Sequence, residues 1–211
     1  MDLLLEEYVN SHIDKESELL YNLNRATHLS QTNPRMCSGH LQGRILSMIC
    51  KLVRPKYILE LGTYTGYSAL CMAESLNGDD AELHTIDIND EIEEFTSGFF
   101  EKSPYGDKIH FHIGDAMEII PTIDREFDIV FIDANKRIYI EYYNMVIDKV
   151  KKGGLIIADN TLWDNKVIEQ PTPIDPQSVG IMNFNDMIIT DDRVEVVILP
   201  IRDGMTLIRK K

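Results

Sequence analysis

Ile58-Leu59-Glu60-Leu61-Gly62-Thr63-Tyr64-Thr65-Gly66-Tyr67-Ser68 is the stretch on which the fold turns. An apolar run opens it, two glycines turn it and a helix-forming segment leaves it. It reads as a strand, a tight turn and a helix start, where backbone N–H groups can approach a ligand closely. The spacing is neither GxGxxG nor GxxxxGK(S/T), which moves NAD and ATP away from the first reading. Alone, the turn would serve equally as a plain connector. Downstream, strand-like runs at 83–88, 109–113, 127–133 and 155–159 alternate with helical lengths, the pattern of a parallel α/β sheet. Phe127-Asp128-Ile129-Val130-Phe131-Ile132 and Leu155-Ile156-Ile157-Ala158 are nearly continuous apolar runs, as expected of strands with helices on both faces. The rhythm breaks at the C-terminus. There 194–199, a short connection at 200–204 and 205–209 read as a hairpin, so the last strand of the seven should run antiparallel.

Upstream of the turn, apolar residues recur at helical spacing from Leu3 to about Leu29, which predicts one or two amphipathic helices, interrupted by Asn33-Pro34. A further helix is expected over 40–53, closed by Arg54-Pro55. Residues 1–54 therefore form N-terminal helices and 55–211 an α/β core, within one domain. The 211 residues, 44% apolar and 27% charged, suit a single globular unit. With 21 basic and 35 acidic residues the net charge is −14, which disfavours phosphate-backbone binding over the whole surface and leaves room only for a local basic patch. The three-leucine run after Met1-Asp2 is too short and too acidic in its flanks for a secretory signal, and no apolar stretch approaches the ~20 residues of a membrane span. Cys37, Cys50 and Cys71 form no CxxC and are odd in number, which fits a reducing compartment. A soluble cytoplasmic protein is expected.

Two groups of residues carry chemistry. Asp87 ends the second strand, 21 residues after Gly66, where an acidic side chain in open α/β folds accepts hydrogen bonds from ribose hydroxyls. Glu60 sets another carboxylate beside the glycine turn. The pair suits a ligand with a ribose, a cationic amino group and no pyrophosphate, which is the shape of S-adenosylmethionine. Asp87 could instead cap a helix starting near Asn89. The second group is Asp133 with Asp159-Asn160, at the ends of two strands, where ligands of parallel sheets bind. Two carboxylates and an amide carbonyl favour a hard ion, Mg²⁺ first, with Mn²⁺ and Ca²⁺ next, over zinc. The bland alternative is solvated turn residues. Lys136 follows Asp133 by three positions; near a bound cation its ammonium form would be disfavoured, letting it accept a proton, whereas alone it reads as a solvated charge. His110 and His112 share a strand face without a carboxylate at metal-ligand spacing and read as structural.

Together, Ile58–Ser68, Phe131-Ile132-Asp133-Ala134-Asn135-Lys136 and Ala158-Asp159-Asn160-Thr161-Leu162-Trp163 resemble the cation-dependent O-methyltransferases, the family of catechol and caffeoyl-CoA O-methyltransferases and their bacterial relatives. The resemblance runs from about Met36 to the C-terminus. It implies a Rossmann-like class I methyltransferase fold with an N-terminal helical lid. It also implies that Gly62, Tyr64, Gly66 and Ser68 line the methionine part of S-adenosylmethionine, with Glu60 near its amino group and Asp87 on the ribose. Asp115 and Ala116 would flank the adenine, Met36 would lie by the reacting methyl and Ser38 against the cofactor. Asp133, Asp159 and Asn160 match the metal ligands, Asp133 also falling within the cofactor set, and Lys136 matches the base. Where the family often carries glutamate this chain has Asp87, and the loops at 137–139 and 163–176 match no single member.

The expected activity is methyl transfer to a hydroxyl of a small catechol-like or hydroxycinnamoyl-type acceptor, by a homodimer. A tRNA hydroxyuridine acceptor is the alternative, with Lys149, Lys151, Lys152, Arg209, Lys210 and Lys211 as candidate phosphate contacts. A non-catalytic cofactor-binding protein is the second alternative; its mark would be a damaged metal set, and that set is intact.

Overall fold

The computed structural model describes residues 3–211. The N-terminal periodicity resolves into two helices, α1 (Leu3–Ser11) and α2 (Glu18–Ser30). Ser17 separates them because its hydroxyl accepts the Leu20 N–H at 3.3 Å and caps α2. After a short 3₁₀ turn at Pro34–Met36 comes α3 (Gly39–Val53), which ends as expected at Arg54, left-handed at φ 56°, before Pro55.

The strands are β1 (Tyr57–Leu61), β2 (Glu82–Asp87), β3 (Ile109–Ile113), β4 (Phe127–Ile132), β5 (Val150–Asp159), β6 (Val194–Leu199) and β7 (Met205–Lys210). The remaining helices are α4 (Tyr67–Ala73), α5 (Glu93–Phe100), α6 (Ala116–Ile119), α7 (Tyr139–Ile147) and α8 (Pro176–Ile188). The sheet has seven strands in the order β3-β2-β1-β4-β5-β7-β6. β2 with β3, β1 with β4 and β4 with β5 pair in parallel, and β7 runs antiparallel to both β5 and β6, as the terminal hairpin predicts.

The chain divides into two compact units, one comprising the chain up to Lys56 with Thr63–Gly114, the other Tyr57–Gly62 with Asp115–Lys211. In the first, Leu20, Leu23, Leu46, Leu70, Met72 and Leu83 are buried, and α3 packs on α4 where Gly43 leaves space for Cys71 and Tyr67. In the second, Leu59, Leu61, Ile129, Val130, Phe131 and Ile157 are fully buried in the near-continuous apolar strands. Tyr139 and Tyr143 of α7 meet Phe184 of α8 edge-on at 5.5 and 6.3 Å.

Among the boundaries that differ from the sequence reading, two have a visible cause. β5 starts at Val150 rather than 155, because Val150 pairs with Phe127 and Lys151 is held by Asp128 at 2.7 Å despite the polar, glycine-containing run that follows. β2 stops at Asp87, whose Oδ1 accepts the Asn89 N–H at 3.0 Å and turns the chain, leaving Ile88 exposed. Among the described residues no helix is long and apolar enough to cross a membrane.

Candidate active site

The glycine turn of the first unit is built around Asp87. Tyr64 sits at φ 47°, a left-handed backbone that costs energy for a non-glycine residue. Its N–H is donated to Asp87 Oδ2 at 2.7 Å, and Thr96 Oγ1 donates to its carbonyl at 3.0 Å. The helix-cap role weighed for Asp87 belongs to Asn89, whose side chain accepts the Glu91 N–H at 3.1 Å. Each Asp87 oxygen already holds one backbone N–H and keeps a further lone pair for a ligand hydroxyl. At Gly66, φ 85°, an added Cβ would lie 2.5 Å from the Phe100 ring, so the turn admits only glycine. Thr63 and Thr65 are buried and tied to Thr85 and Thr27. Ser68 is buried in the first turn of α4.

The Tyr64 hydroxyl donates to Asn33 O at 3.1 Å, linking the turn to the segment that holds Met36 and Ser38. Burial, with Cys37 adding to it, raises the Tyr64 phenol above its ordinary value. Met36 is exposed, whereas Ser38 is buried and makes no side-chain cap bond to α3.

The second unit holds the oxygen cluster. Ile132 of β4 lies opposite Ala158 of β5, so Asp133 and Asp159 occupy equivalent positions at the carboxyl ends of neighbouring parallel strands. Lys136 Nζ donates to Asp133 Oδ1 at 2.6 Å. Burial alone would push this ammonium down, but the Tyr139 phenol and the Asp133 carboxylate outweigh it, and its pKa is raised. The direction is opposite to the one expected of a base beside a cation; here Asp133 offers its negative charge to the lysine. Tyr139, fully buried, shares its hydroxyl proton between Ile132 O at 3.2 Å and Asp159 O at 3.1 Å. Its ring lies 5.4 Å from Lys136 Nζ.

Asn160 leaves β5 at φ 57°, and Trp163, Asp164 and Asn165 are left-handed as well. This loop is fastened by Thr206 Oγ1 to Thr161 Oγ1 at 2.7 Å and by Asn185 Nδ2 to Thr161 O at 2.8 Å. Trp163 Nε1 is buried with no hydrogen-bond partner, an orphaned donor in the loop that carries Asn160. Gly62, at φ 95°, brings the end of β1 so near to Asp133 that a Cβ would lie 2.1 Å from its carbonyl oxygen. Glu60 is fully buried in β1. Asp115 caps α6 through the Met117 N–H at 2.8 Å, and Ala116 is buried behind it.

The expected residues thus fall into two local sets. Met36, Ser38, Tyr64, Gly66, Ser68 and Asp87 belong to the first unit; Glu60, Gly62, Asp115, Ala116, Asp133, Lys136, Asp159 and Asn160 belong to the second. Two carboxylates and an amide suit a hard divalent cation. Tyr139, Asn185 and Thr206 escaped the sequence reading, and Thr161 entered it only as part of the Ala158–Trp163 block, since their partners lie up to 45 residues away. One expectation is corrected: His110 and His112 do not lack a carboxylate, because β2 sets Glu82 and His84 beside them.

A Rossmann-like sheet with an antiparallel last strand, a glycine turn after β1 and acidic groups at strand ends define a methyltransferase class of fold. The chain belongs to the O-methyltransferase family, whose pattern matches residues 10–211. It is 38% identical to caffeoyl-CoA O-methyltransferase of Petroselinum crispum over 80% of this chain and 74% of that one. With caffeoyl-CoA O-methyltransferase of Stellaria longipes it shares 33% identity over 98% of this chain and 90% of the relative. Among solved structures, the O-methyltransferase TomG of Streptomyces achromogenes, in complex with SAM, superposes with a TM-score of 0.90 at 26% identity, over 99% of this chain and 96% of that one. The SAH-bound methyltransferase PaMTH1 of Podospora anserina superposes equally, with a TM-score of 0.90 at 27% identity, over 99% and 94% of the two chains.

Proposed function

We propose that this protein is an S-adenosylmethionine- and divalent-metal-dependent O-methyltransferase acting on a small acceptor with vicinal oxygens, of catechol or hydroxycinnamoyl-thioester type. The observation that carries this reading is the pair Asp133 and Asp159 at adjacent strand ends, with Lys136 Nζ 2.6 Å from Asp133. The caffeoyl-CoA relatives support the acceptor class, and the SAM- and SAH-bound neighbours support the donor.

In this reading Asp133, Asp159 and Asn160 would hold the cation, Mg²⁺ before Mn²⁺ or Ca²⁺. When bound, the ion supplies positive charge that favours the ionised form of an acceptor hydroxyl. Lys136 Nζ, which Asp133 and Tyr139 favour as an ammonium, would shield that oxygen, and would take its proton only after giving up one of its own. On the donor side, Glu60 faces the amino group, Gly62, Tyr64, Gly66 and Ser68 take the methionine part, and Asp87 takes the ribose. Asp115 and Ala116 flank the adenine, while Met36 and Ser38, on the N-terminal lid segment, exclude water near the methyl group. Much of the acceleration comes from holding oxygen, methyl carbon and sulfur in line.

Labelled methyl transfer from S-adenosylmethionine to a simple catechol tests the reading. Transfer is expected with Mg²⁺ and lost with excess chelator; transfer that persists in chelator overturns the metal role. Of the six candidate basic residues of the tRNA alternative, five already make internal bonds. Lys149 and Lys210 donate to backbone carbonyls, Lys151 to Asp128, Arg209 to Glu195 and Lys211 to Asp192 O. Cytoplasmic location belongs to the same proposal, supported by three cysteines that are buried as thiols. So does a homodimer, supported by exposed Leu5 and Tyr8 on α1 and Tyr21 and Leu29 on α2; sedimentation at the monomer mass would overturn it.

A further inference from the structure

At one edge of the sheet β3 pairs in parallel with β2, setting His84 opposite His110 and Ile86 opposite His112. Alternate positions share a face, so Glu82, His84, His110 and His112 stand together on one side of this two-strand ladder. The His84 ring stacks on those of His110 and His112, with centroids 4.7 and 5.3 Å away. His84 Nδ1 lies 3.0 Å from His112 Nε2, and His84 Nε2 lies 3.2 Å from Glu82 Oε2. One ligand atom each from Glu82, His84 and His110 falls within 4.8 Å of the other two.

We infer that Glu82, His84 and His110 form a site for one Zn²⁺ ion, with His112 as the hydrogen-bond partner that orients His84. Two imidazoles and a carboxylate are the donor set of zinc rather than of Mg²⁺ or Ca²⁺, and three protein ligands leave a fourth position to water. Zinc bonds of about 2.0–2.2 Å put tetrahedral ligand atoms roughly 3.3–3.5 Å apart, so the three must close in and the His110 ring must turn out of its stack on His84. Exposed His110 has the freedom to turn inward. The hydrogen-bond chain accommodates the change without net loss of a proton. A carboxylate only accepts, so His84 carries its hydrogen on Nε2 and accepts at Nδ1 from His112 Nε2–H. Zinc at His84 Nε2 displaces that proton to water. His112 passes its Nε2 proton to His84 Nδ1 and recovers one from water at its own Nδ1. His112 thereby becomes the acceptor that fixes the metal-bound tautomer.

The site is separate from the donor-binding carboxylate, since His84 precedes Asp87 by three residues, roughly 10 Å along the strand. Its effect is to clasp edge strand β3 to β2, and it does not depend on the methyltransferase reading. The test is a Zn²⁺ titration against a chromophoric chelator, in excess Mg²⁺ so that hard oxygen sites are filled. One Zn²⁺ per chain is expected, with a raised thermal midpoint and perturbed ring signals of His84, His110 and His112 in NMR spectra. His110→Gln, at an exposed position, is expected to weaken zinc binding by about tenfold or more and to abolish the thermal shift, while His28→Gln changes neither. Absence of zinc uptake in excess Mg²⁺, or equal uptake by His110→Gln, overturns the proposal.

Discussion

At Lys136 and Asp159 the proposed chemistry separates into two measurable parts. Asp159 is buried at the end of β5 and makes none of the contacts that shape the Tyr64–Gly66 turn described above, so Asp159→Ala is expected to abolish metal-dependent transfer and leave S-adenosylmethionine affinity largely intact by calorimetry. Equal loss of donor binding would count against the assignment. Lys136→Met should retain metal binding while kcat drops by on the order of 10²–10⁴-fold, the range for removing a positioned proton acceptor. An unchanged kcat would reduce Lys136 to a structural partner of Asp133. Gly62 tests the backbone instead. A methyl there would meet the Asp133 carbonyl at 2.1 Å in a left-handed conformation, so Gly62→Ala should cost about 2–4 kcal/mol, read as a lower urea midpoint at unchanged slope. The glycine turn was legible from sequence because two glycines and a strand pattern suffice to announce it. Tyr139 was not: a tyrosine in an amphipathic helix looks like core, and only the pairing of β4 with β5 brings both carbonyls to its hydroxyl.

Among the elements, α3 is fastened to α4 by one acidic residue. Glu74, just beyond α4, receives Arg44 through both guanidinium nitrogens at 2.7 and 3.0 Å, Ser47 Oγ at 2.8 Å and Lys51 Nζ at 3.2 Å. Burial alone would raise this carboxyl, but the Arg44 and Ser47 hydrogen bonds, with Lys51, overcome it and hold it below its ordinary 4.5. A carboxylate lowered in the folded state binds protons more readily once unfolded. Its contribution is therefore present above the ordinary value and disappears as pH falls through the depressed one. Glu74→Gln should destabilise the protein at neutral pH and flatten the acid limb of the stability curve; parallel curves for variant and parent would overturn this. The order of elements could be read from periodicity, since apolar strands alternate with helical lengths. The start of β5 could not, because Lys151-Lys152-Gly153-Gly154 reads as a turn until Asp128 and the β4 register are in place. The histidine ladder failed for a related reason: Glu82 and His84 lie 26 residues or more upstream of His110, and only parallel pairing makes them neighbours.

For the molecule as a whole, the net charge of −14 bears on the acceptor. Among the basic residues near the C-terminus, Lys151 and Arg209 are paired with the carboxylates of Asp128 and Glu195, which lowers their pull on a phosphate. The three acceptor classes then respond differently to salt. A neutral catechol feels little of the protein's field, and its kcat/KM should stay flat with ionic strength. A thioester bearing phosphates approaches an acidic surface against repulsion, so screening should raise kcat/KM. An RNA acceptor depends on released counterions; proteins making 6–10 phosphate contacts lose about 10³–10⁵-fold in affinity between 50 and 200 mM salt. With the structure as described, kcat/KM is expected to be flat for catechol and to rise with salt for a hydroxycinnamoyl-CoA thioester. Methylation of cellular RNA that outpaces both at low salt and collapses as salt is added would displace the small-molecule reading and restore the nucleic-acid one.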